Sequence, residues 1–206
     1  MARPKLKICG IRSVDEARQI LPLNLDYVGL NFIPISTRYI SLKTAIEIVE
    51  ILKQSSTKTV ALFADQPTEM VNDYANQLGI DYVQLHGSET ADYTKHLNKP
   101  VMKAIPVMPN SQARDIINYI NEYPADHFVL DRHKQGRGEL ISPKLAHEVI
   151  DSVSAKIFLA GGLGSDNLAS VLSTVNPYGI DIAGGVRVSN RLDRKTVTII
   201  QQIIKI

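Results

Sequence analysis

A short apolar run, a polar or glycine-containing turn and a longer stretch of helical spacing recur eight times along this chain, and no other feature constrains its fold as tightly. The strand candidates are Leu6–Cys9, Tyr27–Phe32, Thr59–Ala64, Tyr82–Leu85, Val101–Ile105, Phe128–Asp131, Ile157–Ala160 and Ile180–Ala183. Helical spacing covers Val14–Leu21, Leu42–Lys53, Thr68–Leu78, Glu89–Leu97, Ser111–Glu122, Pro143–Ser152, Asp166–Thr174 and Asp193–Ile204. Ser13, Ser41, Ser88 and Ser165 stand where N-caps belong, each offering a side-chain oxygen to a first-turn amide, and Gly79 stands where a C-cap is needed. Strands this uniformly apolar belong to a parallel sheet covered by helices. Eight such units predict an α/β protein of the closed (β/α)8, or TIM barrel, class. An open doubly wound sheet is the alternative, but it usually has fewer strands and leaves edges to protect. No Pro/Gly/Ser-rich linker or shift in composition divides the sequence, so residues 1–206 read as one domain.

A hydrophobic fraction of 44% supplies the core such a barrel requires. The 23 Lys and Arg against 21 Asp and Glu leave a formal charge of +2, too small and too evenly spread for a nucleic-acid partner. Any phosphate is therefore recognised locally. The opening MARPKLKICG lacks the apolar core and cleavage site of a signal peptide, and no apolar run approaches the roughly 20 residues that span a bilayer. The chain reads as cytoplasmic, with no membrane partner. A lone cysteine permits no internal disulfide, which fits a reducing compartment. The histidines His86, His96, His127, His133 and His147 show no HExxH-like spacing and lack cysteine partners, so no metal is expected.

In a barrel the chemistry gathers at the C-terminal ends of the strands, which draws attention to the polar residues that end each apolar run. FLAGGL at 158–163 and DIAGGV at 181–186 both place a glycine pair directly after an apolar strand. These are the seventh and eighth strands, whose loops commonly hold phosphate in this architecture. Gly161, Gly162, Gly184 and Gly185 are thus phosphate-binding candidates; the plainer reading is a pair of tight strand-to-helix turns. Cys9 ends the first strand. A cysteine is most often a small buried hydrophobe, yet a thiol whose pKa is drawn down from roughly 8.5 by nearby cations serves as base or nucleophile. Lys7, two residues earlier, shares its face of the strand. Asp131 closes the apolar run HFVL and is either a turn cap or an acid partner for the thiol. Gln84, His86 and Asp181 occupy equivalent positions at the ends of the fourth and eighth strands and are candidates for substrate binding.

Taken together, KICGI at 7–11, Ser36-Thr37-Arg38-Tyr39, VALFAD at 60–65, VQLHGSE at 83–89, VLD at 129–131, LAGGL with Asn167 soon after, and DIAGGV resemble the phosphoribosylanthranilate isomerases of tryptophan biosynthesis, in order and spacing, over nearly the whole chain. The resemblance implies an Amadori rearrangement of N-(5-phosphoribosyl)anthranilate to the 1-deoxyribulose phosphate, without metal or organic cofactor. It implies that Asp131 is the general acid and Cys9 the general base. Arg38 matches the family's arginine that faces the anthranilate carboxylate, a role suited to its planar fork; otherwise it is a surface arginine. The phosphate would rest on amides around Gly136, Gly138, Gly161, Gly162, Gly184 and Gly185, with Gln84 and His86 lining the mouth; His86 reads equally as a structural histidine. The expected partner is a small phosphorylated substrate, with the protein a monomer or homodimer.

Two loops depart from the family pattern. After Asp131 the family usually has Gly-Gly-Thr/Ser-Gly and then Phe-Asp-Trp, whereas this chain reads RHKQGRGELISP: Gly136 and Gly138 remain, Arg137 replaces the small hydroxyl residue, and Ile141-Ser142-Pro143 stands where Phe-Asp-Trp would. In the eighth loop Ala183-Gly184-Gly185-Val186-Arg187 replaces Ser-Ser-Gly-Val-Glu, which makes Arg187 a further phosphate-binding candidate. Two other functions compete: a related aminoaldose-phosphate isomerase of histidine biosynthesis, disfavoured because that family has an aspartate where Cys9 stands, and a non-catalytic phosphate-ligand-binding barrel.

Overall fold

The structure, a computed structural model, describes residues 3–132 and 140–205. Its strands are β1 (Lys5–Cys9), β2 (Tyr27–Asn31), β3 (Lys58–Phe63), β4 (Tyr82–Leu85), β5 (Val101–Val107), β6 (His127–Arg132), β7 (Lys156–Leu159) and β8 (Gly179–Ile182), joined in sequence order as a closed barrel. The expected fold class is the one found. Helices α1 (Val14–Ile20), α2 (Leu42–Leu52), α3 (Thr68–Leu78), α4 (Ala91–Thr94), α5 (Ala113–Glu122), α6 (Pro143–Ser152), α7 (Leu168–Leu172) and α8 (Arg194–Ile203) follow the strands in turn. By contact density the chain divides into two compact units, one of Lys7–Lys103 and the other of Met1–Leu6 with Ala104–Ile206.

Within the first unit the parallel register runs Cys9 to Gly29, Gly29 to Val60, Val60 to Tyr82, Leu62 to Gln84 and Gln84 to Met102. Because residues paired in register share a face and side chains alternate along a strand, Lys7, Cys9, Gly29 and Gln84 fall on one face of this sheet. The opposite face packs on the helices, where Phe32 and Phe63 stack with centroids 5.3 Å apart and Tyr74 of α3 meets Phe32 edge-on at 5.3 Å. In the second unit Val129 pairs with Phe158 and Phe158 with Gly179. A side chain on Gly179 would collide with the Phe158 ring.

Ser13 and Ser41 cap α1 and α2, accepting hydrogen bonds from Glu16 N at 3.2 Å and Thr44 N at 3.1 Å, and Gly79 ends α3 at φ +64°. Ser88 and Ser165 do not act as caps. The fourth helix shrinks from the expected Glu89–Leu97 to four residues capped by Thr90. The later start goes with Glu89, whose buried carboxylate accepts from Asp65 N at 2.9 Å, Gly87 N at 3.0 Å and Lys103 Nζ at 2.7 Å, while Ser88 N donates to Asp65 Oδ1 at 2.7 Å. Its side chain is spent on the ends of β3 and β4. The seventh helix likewise starts at Leu168, because the side chain of Asn167 turns back to accept from Gly164 N and donate to Gly162 O, both at 3.0 Å. A hairpin the periodicity did not reveal, β9 (Arg187–Val188) with β10 (Arg191–Leu192), follows the eighth strand. Ser189 and Asn190 turn it with φ of +47° and +63°, the twist that two-residue hairpins favour.

Candidate active site

Cys9 sits at the last position of β1 with 8% of its surface exposed. Directly opposite is Gly29, and a Cβ there would lie 2.9 Å from Cys9 Sγ. The thiol occupies space that any other residue in β2 would fill. A glycine inside an apolar strand is the sequence signal for such a close approach. Beyond Cys9 the chain turns through Gly10 at φ +78°, and the amides of Gly10 and Ile11 both donate to Gly29 O, at 2.8 and 3.1 Å. The aliphatic stem of Arg38 lies across Gly10 and would clash with any side chain there. Arg38 is held by its own loop: its amide donates to Ser36 Oγ at 3.1 Å, and Ile40 N donates to Asn31 O at 2.9 Å. Arg38 thus packs on Gly10, the residue that follows Cys9.

Gln84 is 1% exposed, and its Oε1 makes no hydrogen bond among the described residues; its Nε2 lies 3.4 Å from His86 Nδ1. A buried amide oxygen without a donor is costly. His86 is half-buried and anchored by its own amide, which donates to Phe63 O at 2.8 Å. Below the mouth, Lys7 is completely buried on the face that carries Cys9. The Glu89–Lys103 pair and Asp65 brace the ends of β3 and β4; Asp65 stood out in the sequence as a polar residue ending a strand, whereas the pair did not. Its signal was a lysine inside the apolar run VMKAI.

In the second unit Asp131 and Arg132 end β6, both half-buried. Gly161, at φ +85°, packs against them: a Cβ on it would lie 2.7 Å from Arg132 Cβ and 3.2 Å from Asp131 Oδ1. Gly162 follows at φ +76°. Gly164 and Gly185 form a bridge between the loops after β7 and β8, so close that a side chain on Gly185 would collide with Leu163 O. Gly184 and Gly185 are both exposed, Gly184 O accepts from Arg187 N at 3.1 Å, and Arg187 reaches Asn190 O with Nη1 at 3.4 Å. Asp181 is 7% exposed on β8. Gly136 and Gly138 lie outside the described residues. Every described candidate therefore stands on or just after the C-terminal end of a strand.

The model of the N-(5'-phosphoribosyl)anthranilate isomerase family matches residues 6–202. The chain belongs to this family. Its activity is that of N-(5'-phosphoribosyl)anthranilate isomerase, a step of tryptophan biosynthesis. An N-(5'-phosphoribosyl)anthranilate isomerase of Oceanobacillus iheyensis is 33% identical over 197 residues, covering 93% of this chain and 92% of the relative. Monomers generated from the dimeric phosphoribosylanthranilate isomerase of Thermotoga maritima superpose with a TM-score of 0.83 at 28% identity over 98% of both chains. A phosphoribosylanthranilate isomerase in complex with reduced 1-(o-carboxyphenylamino)-1-deoxyribulose 5-phosphate gives the same score, identity and coverage. The resemblance carried by KICGI, VQLHGSE and the two glycine pairs named the right family of isomerases.

Proposed function

We propose that Cys9 and Asp131 are the base and acid of an Amadori rearrangement. Asp131 gives its proton to the furanose ring oxygen as the C1–O bond breaks, leaving an iminium at C1. Cys9, as thiolate, removes the C2 proton, and the electron pair of that bond forms the enolamine. Ketonisation returns a proton to carbon. The scheme moves only protons and bond pairs, so it calls for groups held in place. The observation that supports it is the seat of Cys9 at the end of β1, its sulfur in the space left by Gly29, with the stem of Arg38 packed on the adjoining Gly10.

Arg38 takes the anthranilate carboxylate with its fork. Gln84 offers its buried Oε1 to a donor on the substrate, and His86 and Asp181 contribute further polar contacts. Amides around Gly161, Gly162, Gly184 and Gly185, with Arg187, take the phosphate, helped by Gly136 and Gly138 as the family pattern implies. We read residues 1–206 as one cytoplasmic domain, active as a monomer or homodimer. No helix among the described residues is long and apolar enough to cross a membrane, and the Thermotoga relative is dimeric.

Loss of substrate fluorescence gives the test. Cys9→Ser and Asp131→Asn should each lower the rate by about 10²–10⁴-fold while circular dichroism stays unchanged. A variant that keeps near-full turnover excludes its residue from the assigned role.

A further inference from the structure

We infer that Arg132 grips the substrate phosphate. This rests on the reading that the loop after β7 receives that phosphate. Asp131 and Arg132 leave β6 together and enclose Gly161, with Asp131 Oδ1 and Arg132 Cβ lying 3.2 and 2.7 Å from where a Cβ on Gly161 would sit. Arg132 N lies 2.8 Å from the same point, so the backbone of Arg132 is seated against the glycine and its position is set by the loop itself. The guanidinium extends to Gly162, where Cζ and Nη1 lie 3.9 Å from the Cβ position, beside Leu140 Cδ2 at 3.4 Å.

Electrostatics favour an anion between these groups. Glycine amides carry only partial charge, and Asp166 faces the same loop, with Oδ1 2.8 Å from the Cβ position of Gly164. A dianion arriving there is repelled by that carboxylate unless a full positive charge offsets it. Arg132 supplies one on the β7 side of the loop. The planar fork also suits two phosphate oxygens, which an ammonium would meet as a point charge. Asn167 completes the arrangement by holding Gly162 O, which turns the Leu163 amide of that trans peptide to the opposite side.

Arg132→Met keeps the aliphatic stem that packs on Gly161 and removes the charge. With purified full-length protein, kcat, KM and competitive inhibition by inorganic phosphate should be measured for wild type, Arg132→Met and Arg132→Lys. For Arg132→Met, KM and the phosphate inhibition constant should both rise about ten- to hundredfold with kcat little changed, and Arg132→Lys should fall between. Unchanged KM and phosphate inhibition, or a loss confined to kcat, overturns the assignment. If phosphate does not compete with substrate in the wild type, the phosphate reading of the loop itself fails, whatever the variants do.

Discussion

Arg38 lies so close over Gly10 that its Cδ occupies the place of the missing side chain, and Gly10 holds a left-handed φ of +78°. Both facts oppose substitution. Gly10→Ala incurs about 1–2 kcal/mol of backbone strain and also pushes the arginine aside. If the guanidinium binds the anthranilate carboxylate, the variant raises KM about tenfold or more, because a charge-assisted hydrogen bond of about 1.5–3 kcal/mol is lost. Steady-state kinetics on the folded variant provide the check, and an unchanged KM would separate Arg38 from substrate binding.

The Lys103–Glu89 pair gives a prediction about stability. The two side chains are 3% and 1% exposed, and the carboxylate also holds the amides of Asp65 and Gly87. Lys103→Met strands a buried carboxylate, and Glu89→Gln strands a buried ammonium, at about 3–5 kcal/mol each. In the double variant no charge is left unpaired, and glutamine can still accept from the backbone amides. The double variant should therefore be more stable in urea than either single one. Strictly additive losses would show that the two charges are not coupled.

These two sites also mark what could be read from the chain alone. The barrel was legible because eight apolar runs of strand length, each followed by helical spacing, leave few other architectures. Cys9, Asp131 and the glycine pairs were legible because they end those runs. What stayed hidden depends on approach in three dimensions. Glu89 scans as a helical residue, yet its carboxylate pairs with Lys103 and α4 begins only at Ala91. Asn167 scans the same way, yet its amide turns back to Gly162 and Gly164. The hairpin after β8 has strands of two residues, too short for periodicity to register. Arg132 follows Asp131 directly, and its seat against Gly161 shows only in three dimensions.

His127 opens β6 and is 2% exposed, its ring 5.8 Å from Phe158 and 5.4 Å from Tyr178. Burial lowers its pKa from 6.5 to about 4, nearby Lys156 adds to the effect, and Asp126 partly opposes it. A histidine held neutral in the folded state binds fewer protons than its unfolded counterpart between these two values, so stability rises with pH across that window. The contribution is complete above about pH 6.5 and is lost as pH falls toward about 4, below which both states are protonated. His127→Phe keeps a flat ring in the aromatic cluster and has no proton to bind. Thermal melts from pH 7.5 down to 4 should therefore show the wild type losing more of its Tm than the variant, chiefly below pH 6.5. Parallel curves over that range would mean that His127 titrates alike in the folded and unfolded chain, and that the acid sensitivity resides elsewhere.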